Sequence, residues 1–362
     1  MRIVADENMP LVRELFSPFA DVQLLPGRKI SAADLRDTDA LLVRSVTAVN
    51  AELLAGNNVQ FVGSATIGTD HVDLALLQAR GIAFHNAPGC NAQAVAEYVL
   101  SALLLLIDEH RFDPAHDRIG IVGYGNVGRR LAALLDVLEW PYCLNDPPLQ
   151  ARGIARREFV AKDEILRCKV VSLHTPLCVE GEWPTRHWLA DTEFTQLSQQ
   201  TVINSCRGPV IDNHALQQWL ARDEENCAVL DVWEQEPYVE PELLKRVRLA
   251  TPHIAGYSVE GKTNGSFMVY DAFCRHFNLP VHSDEQQLTA INFDGYIPVS
   301  ALPRIATIAR YFYDIRNDDI RLRHALSKNG DAKLIFDQLR KNYPPRRECG
   351  TEQFARLLTG VW

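Results

Sequence analysis

The chain has 362 residues, 47% of them hydrophobic and 23% charged, which is the composition of an ordinary globular protein. This length predicts two or three domains. The formal net charge of −9 argues against a general nucleic-acid binder, which would carry a basic surface.

Compartment and metal content are predicted from three further features. The N-terminal residues MRIVADENMP lack the basic-then-apolar order of a signal peptide and are strand-like instead. The longest apolar run, YVLSALLLLI at 98–107, is too short to span a bilayer and predicts a buried helix. The eight cysteines are scattered without a C-x-x-C pair, which favours reduced, buried thiols over disulfides or a zinc site. We therefore predict a cytoplasmic protein with no membrane segment and no structural metal.

Short runs rich in Val and Ile alternate with helical stretches along most of the chain. The strand-like runs lie at 2–5, 39–45, 59–65, 82–88, 118–125, 142–146, 169–175, 201–206, 227–232 and 247–253. Such alternation is typical of βαβ units and parallel sheets. The runs are too numerous for one compact sheet, so we expect two doubly wound α/β domains.

The character of the chain changes after Pro280, at the polar stretch HSDEQQ. One strand-like piece, AINFDGYIPV at 290–299, precedes amphipathic helices, which predicts an added α+β region. An apolar stripe one helix face wide is formed by Ile305, Ile308, Phe312 and Ile315. The stripe either packs on its own chain or forms a dimer contact, and we favour a dimerisation domain over 281–362.

A cofactor loop is predicted at RIGIVGYGNVGRRLAALL, where a strand leads through Gly123-x-Gly125-x-x-Gly128 into a helix. The first glycine permits a tight turn, the second lets the backbone approach a diphosphate, and the third allows close helix–strand packing. The free amides at the helix start, at Asn126 and Val127, then bind the diphosphate. Asp146 ends the next strand, where it would bind ribose hydroxyls and repel a 2′-phosphate, which favours NAD over NADP.

Three residue types suited to hydride transfer from a hydroxy acid follow consecutive strands. Arginine grips a carboxylate with a planar fork, and Arg207 follows the strand TVINSC. Histidine exchanges protons near neutral pH, and His253 follows the strand VRLATP. Glu236, beyond the strand CAVLDV, would orient the imidazole and raise its pKa. Side chains beyond the carboxyl ends of parallel strands converge, so we expect these three to form one catalytic site.

These motifs together resemble the D-isomer-specific 2-hydroxyacid dehydrogenase family over about residues 1 to 280. The resemblance is carried by VGYGNVG, RGPVID, DVWEQEP and TPHIAGYS, and in the first part by GSATIGTDHVDL and NAPGCNAQAVAEY. It implies two Rossmann- or flavodoxin-like domains with the first one split in sequence. The implied domains are a substrate domain at 1–92 plus 257–280 and an NAD-binding Rossmann domain at 93–256.

The resemblance also implies roles for individual residues. Arg207 binds the substrate carboxylate, Glu236 pairs with the histidine, and His253 is the acid/base. Further cofactor contacts are implied for Thr175, Asp231, Gly256 and the backbone of Cys206, Arg207 and Gly208. Further substrate contacts are implied for Ser45, Thr66 and Tyr257.

A narrower resemblance concerns one branch of this family. It is carried by VADENMP, EGEWPTRHWL, GYSVEGKTNG and the added LRKNYPPRRE. This narrower resemblance implies a cytoplasmic homodimer that oxidises 4-phosphoerythronate in the route to pyridoxal 5′-phosphate. The phosphate then needs its own donors, for which Arg44 is our first candidate, with a surface ion pair as the alternative reading of that residue. Lys262 and, from a dimer partner, Arg346 and Arg347 are further candidates.

Two other functions remain open at this point. The first is a dehydrogenase of another 2-hydroxy acid such as 3-phosphoglycerate, although its regulatory tail would be rich in βαβ units. The second is a non-enzymatic NAD sensor or corepressor, which the absence of a long basic or disordered tail disfavours.

Overall fold

A computed structural model of the protein describes residues 1–154, 156, 158–281, 305–328 and 330–359. The described chain divides into two compact units, with the boundaries after Asn91 and after Tyr257. The first unit contains residues 1–91 and the described residues 258–281. The second contains 92–257 and the described C-terminal residues from 305 onward. The assignment of three functional domains stays a prediction.

Eleven strands are present in the described residues. They are β1 (Arg2–Asp6), β2 (Asp21–Leu25), β3 (Ala40–Val43), β4 (Phe61–Ser64), β5 (Ala83–His85), β6 (Ile119–Val122), β7 (Tyr142–Asn145), β8 (Val170–Leu173), β9 (Thr201–Asn204), β10 (Cys227–Leu230) and β11 (Leu249–Ala250). All strand pairs are parallel. The prediction of two doubly wound parallel sheets is confirmed.

The helices of the described residues connect and cover these sheets. They are α1 (Val12–Phe16), α2 (Leu74–Ala79), α3 (Ala92–Asp108), α4 (Asn126–Val137), α5 (Pro147–Ala151), α6 (Lys162–Ile165), α7 (Asp191–Phe194), α8 (Asn213–Arg222), α9 (Pro241–Arg246), α10 (Val259–His276), α11 (Ile305–Phe312), α12 (Ile315–Leu326), α13 (Ala332–Lys341) and α14 (Thr351–Thr359). Three short 3₁₀ turns lie at Gly27–Lys29, Ala32–Leu35 and Gly208–Val210.

The order of strands decides where each sheet presents a crevice. The first unit has the order β2-β1-β3-β4-β5, and the second has β11-β10-β9-β8-β6-β7. In the second sheet the chain proceeds from β6 to β7 on one side and then to β8 on the other. Ligands of such sheets bind at the carboxyl ends of the strands where the order reverses, which here are those of β6 and β8.

Strand β2 was not anticipated from the sequence. Its residues, DVQLL, contain a single Val and two polar residues, Asp21 and Gln23, and prolines lie near both ends at 18 and 26. In the structure β2 is an edge strand that pairs with β1 alone, and only Val22 in it is fully buried. An edge strand with one covered side lacks the continuous apolar run that identifies interior strands.

The apolar run at 98–107 lies in α3, whose residues are buried from Ala94 to Leu106, as predicted. Within the part of the chain that the structure describes, no helix combines the length and apolar character needed to cross a membrane. The eight cysteines are all free, and all but Cys178 are buried. The described residues contain no group of three or more His, Cys, Asp or Glu placed to hold a metal ion.

The C-terminal helices complete the core of the second unit. Ile308 and Ile315 of the apolar stripe are 1% and 0% exposed and pack with residues of α3 and α4. Phe354 of α14 joins the same cluster, while Phe336 of α13 joins the second cluster of this unit. The buried part of the stripe therefore packs on its own chain. The strand-like piece at 290–299 lies outside the described residues.

Candidate active site

The glycine loop after β6 has the geometry that its spacing predicts. Gly123 has a φ of +91°, and a Cβ there would lie 2.7 Å from the carbonyl oxygen of His174. A Cβ on Gly128 would lie 2.1 Å from the carbonyl oxygen of Gly123. Gly125 caps α4 and has open space where its Cβ would be. The outer glycines are thus required by packing, whereas Gly125 leaves the first turn of α4, with Asn126 and Val127, accessible to an anion.

Asp146 lies beside this loop, directly after β7. One carboxylate oxygen accepts a hydrogen bond from the Tyr124 N–H (2.7 Å), and the other caps α5 at the Leu149 N–H (3.0 Å). The guanidinium groups of Arg129 and Arg156 lie 5.5 and 5.0 Å from the centroid of the Tyr124 ring. Asp146 is therefore held at the loop by backbone donors, and its contact with a ribose stays a prediction.

Polar atoms at the ends of β8 and β9 are buried without protein partners. Among the described residues, Nδ1 of His174 and the hydroxyl oxygens of Thr175 and Ser205 have no hydrogen-bond partner. Burial lowers the pKa of His174 to about 3, so its ring is neutral. Buried polar groups normally have partners, so these atoms fit a bound ligand at the crevice of the sheet. Thr175 was anticipated, but His174 and Ser205 were missed, since neither stands out in an apolar run.

Asp231 organises the turn that carries the predicted acid/base. Its carboxylate is buried and accepts hydrogen bonds from the Thr251 hydroxyl (2.6 Å), the Ile254 N–H (2.8 Å) and the Ala255 N–H (2.9 Å). Its carbonyl oxygen accepts from the His253 N–H at 2.7 Å. Burial raises the pKa of the Asp231 carboxyl, and the neighbouring His253 opposes this. Gly256 lies just beyond this turn, and its predicted cofactor contact stays a prediction, as does that of Asp231.

His253 and Glu236 form a direct pair. Nδ1 of His253 lies 2.7 Å from Oε2 of Glu236, whose Oε1 accepts a hydrogen bond from the Trp233 N–H at 2.9 Å. Burial raises the pKa of Glu236, but the charge and hydrogen bond of His253, the Trp233 N–H and the charge of Arg340 together outweigh it, so this pKa is below its ordinary value. The side chains are 31% and 23% exposed. With Nδ1 engaged by the carboxylate, Nε2 is the ring nitrogen available for proton exchange.

Arg207 follows β9, the strand beside β10 and one removed from β11. Its guanidinium donates to the Cys206 carbonyl oxygen at 2.7 Å. A Cβ on Gly208 would lie 1.9 Å from the Trp233 carbonyl oxygen, so the loops that carry Arg207 and Glu236 touch at this glycine. The buried Cys206 Sγ donates to Oδ1 of Asn204 at 3.2 Å, and burial raises the pKa of its thiol, consistent with a small space-filling residue.

The predicted substrate residues of the first unit lie around the ends of β3 and β4. Arg44 is half-buried and donates to the Asn8 carbonyl oxygen at 3.4 Å, and Ser45 beside it is exposed. The Thr66 hydroxyl lies 2.8 Å from that of Ser64. Burial and, second, the positive charge of Arg44 lower the pKa of Lys262 to about 8. Two cations thus lie near each other, which is an arrangement that favours an anionic ligand.

Tyr257 contacts residues of the C-terminal region, which sequence reasoning did not anticipate. Its ring is edge-on to that of Tyr343 (5.8 Å), and the Arg340 guanidinium lies 5.7 Å from its centroid. Arg346, expected to reach a partner's site, is instead 5% exposed within its own chain. It donates to the carbonyl oxygens of Ala94 and Ala255. That expectation for Arg346 is wrong, because these carbonyls engage the guanidinium in the interior of the second unit.

Two family models match the chain. Residues 108–255 match the model described as D-isomer specific 2-hydroxyacid dehydrogenase, NAD binding domain. Residues 284–355 match a model described as a domain of unknown function. The paired residues His253 and Glu236 and the glycine loop lie within the first match.

Curated relatives cover nearly the whole chain. Erythronate-4-phosphate dehydrogenase of Marinobacter nauticus is 46% identical over 97% of this chain and 94% of its own length. The enzyme of the same name from Azotobacter vinelandii is 48% identical over 96% and 93%. Among solved structures, NAD⁺-bound 3-phosphoglycerate dehydrogenase of Entamoeba histolytica matches 77% of this chain and 95% of its own, with a TM-score of 0.66 and 23% identity. This last likeness concerns the fold alone.

Proposed function

The chain belongs to the D-isomer-specific 2-hydroxyacid dehydrogenase family, and from that membership we propose that it oxidises 4-phospho-D-erythronate to 2-oxo-3-hydroxy-4-phosphobutanoate. NAD is the cofactor, and the reaction serves pyridoxal 5′-phosphate biosynthesis. The observation that carries the reaction class is the 2.7 Å contact between His253 and Glu236, in the unit that contains the NAD-binding domain. The near-complete coverage of relatives with this substrate in their name supports the substrate.

Residues of the second unit have separate roles in the proposed reaction. Arg207 holds the substrate carboxylate with its planar fork. Nε2 of His253 takes the proton of the C2 hydroxyl, while Glu236 holds the ring by Nδ1 and stabilises the imidazolium that forms. Gly123, Gly125 and Gly128 with the first turn of α4 would hold NAD, which would supply the acceptor for the hydride of C2. Asp231 contributes by fixing the turn that presents His253, through the three hydrogen bonds that its carboxylate accepts.

Incubation of the purified protein with NAD and 4-phosphoerythronate tests this function through the formation of NADH. We expect turnover with this substrate and little with 3-phosphoglycerate. Turnover of 3-phosphoglycerate alone would favour the sibling dehydrogenase. If NAD binds but neither substrate is oxidised, the protein is a sensor or corepressor instead.

For the substrate phosphate, we assign Arg44 and Lys262 as the cations, with Ser45 and Thr66 as hydroxyl donors and Tyr257 as a further substrate contact. The proximity of two cations in one half-buried place supports this assignment, because their repulsion is relieved when a dianion binds between them. The following variant distinguishes this assignment from the alternative, in which Arg44 only forms a surface ion pair.

Arg44→Ala is expected to lose about 1.5–3 kcal/mol of binding to 4-phosphoerythronate, the usual range for a hydrogen bond to a charged group. Unphosphorylated erythronate should show no such loss, since it lacks the group that Arg44 grips. The measurement is kcat/KM of wild type and variant on both compounds. Arg13→Ala, which removes an exposed arginine of α1, is the matched control. Equal losses on the two compounds would assign Arg44 a structural role.

We further propose a cytoplasmic homodimer. Eight free cysteines support a reducing compartment. Three large apolar side chains remain exposed on the C-terminal helices, Tyr311 (48%), Ile320 (63%) and Leu334 (60%), and they support a contact between copies through this region.

A further inference from the structure

The C-terminal region is bonded to the segment that leads into the catalytic turn. Asp319 of α12 accepts a hydrogen bond from the Ala250 N–H at 2.8 Å, on the edge strand β11. Arg323, four residues on, donates to the carbonyl oxygens of Leu244 and Val247 at 2.7 and 2.8 Å. An ion pair of 2.8 Å joins Arg323 to Asp319. These side chains satisfy backbone groups of α9, of its C-terminal end and of the edge strand β11, so the segment before His253 depends on α12 for its position.

The same region holds the far end of the catalytic turn. Arg346 donates to the Ala255 carbonyl oxygen at 3.0 Å, two residues after His253, and its guanidinium lies 3.5 Å from the centroid of the Tyr313 ring. Tyr343 packs edge-on against Tyr257, and its hydroxyl donates to Asp318 at 2.7 Å. The turn is therefore supported on both sides by residues beyond 305, within one chain.

One residue of this region contacts Tyr257, the predicted substrate contact that follows the catalytic turn. Arg340, in the last turn of α13, lies over the Tyr257 ring at 5.7 Å, next to Phe336 at 5.9 Å. We propose that Arg340 is a positioning residue of the active site, which orients Tyr257 and supplies Glu236 with a second positive charge besides His253. The proposal rests on the proposed function, and it gives the C-terminal region a role in the reaction in addition to any role in assembly.

The charges around Glu236 explain why a second cation matters. Its carboxylate is hydrogen-bonded to His253 from the turn after β11 and to the Trp233 N–H from its own loop. The positive charge of Arg340 on α13 acts on it as well and lowers its pKa. Burial favours the protonated form of this carboxyl, and these groups favour the ionised form. A protonated Glu236 could no longer stabilise the imidazolium at Nδ1. Removal of Arg340 takes away one positive charge that favours the ionised carboxylate, so we expect the pKa of Glu236 to rise.

The test compares Arg340→Gln and Arg340→Lys with Lys333→Gln, an exposed lysine of the same helix whose loss changes the charge equally. Arg340→Gln is expected to lower kcat about ten- to a hundredfold, as misplaced catalytic groups do. The acidic limb of its pH profile should move to higher pH, since Glu236 then gains its proton sooner on acidification. Arg340→Lys should keep the limb in place and recover part of kcat. Lys333→Gln should match wild type in both.

Two outcomes would overturn the proposal. One is a pH profile of Arg340→Gln whose acidic limb stays at the wild-type pH, whatever the loss of kcat. A purely structural role would lower activity without shifting this limb. The other is a shift of the same size in Lys333→Gln. A substrate-free measurement keeps this separate from the proposed function: a carbon-13 titration of labelled glutamate in the full chain, with the Glu236 signal assigned by Glu236→Gln. If wild type fails to oxidise 4-phosphoerythronate, the proposed function falls, while the Glu236 titration still decides the effect of Arg340.

Discussion

Replacement of His253 by alanine is expected to lower kcat by about two to four powers of ten, the usual contribution of a positioned acid/base group. The reason is the pairing of the ring with Glu236 at 2.7 Å, which leaves Nε2 as the ring nitrogen available for proton exchange. KM for NAD should change little, because the glycine loop and α4 are untouched. Steady-state kinetics at saturating substrate measure the effect.

A second histidine of the same unit provides a matched control. His187 also pairs with a carboxylate, Glu234 at 2.6 Å, and is 32% exposed against 31% for His253. Both residues have a left-handed backbone, with φ of 52° and 56°. His187→Ala therefore tests the cost of removing a paired histidine from a left-handed turn, and we expect a much smaller loss of kcat. Comparable losses in the two variants would remove His253 from the mechanism.

Removal of residues 281–362 is expected to leave a chain that is insoluble or, at best, monomeric. The truncation takes away Ile308, Ile315, Phe336 and Phe354, each fully or nearly fully buried. Burial of one such side chain contributes about 1.5–3 kcal/mol, so the loss is comparable to the whole stability of many proteins. The carboxylate of Glu97 would also lose the nearby charge of Arg346, at 4.0 Å. Sedimentation of the truncated chain is the measurement.

A milder variant separates assembly from folding in this prediction. Ile320→Lys with Leu334→Lys alters two exposed apolar side chains of α12 and α13 and leaves the core intact. We expect this double variant to remain folded, as judged by circular dichroism, and to sediment as a monomer. A well-behaved dimer that lacks 281–362, or an unaltered dimer in the double variant, would place the interface elsewhere.

Several features of the protein were predictable because they depend on short-range geometry. A strand, three glycines at fixed spacing and a helix define the cofactor loop, and the structure shows steric reasons for Gly123 and Gly128 that hold in any such loop. The pairing of His253 with Glu236 was predictable for a related reason. Both follow strands of one parallel sheet, and β10 and β11 are neighbours in it, so residues just beyond their ends meet.

Sequence alone thus determined the two parallel sheets, the cofactor loop and the convergence of residues at strand ends, since periodicity and spacing are local properties of the chain. Only the tertiary structure decided which residues outside these motifs surround the site. Arg340 and Tyr343 reach Tyr257 from more than 80 positions away in the sequence, and Arg346 is held by the Ala94 and Ala255 carbonyls. Such contacts produce no periodic pattern in the sequence. They depend on how separate helices pack against one another, and not on the spacing of residues within one helix.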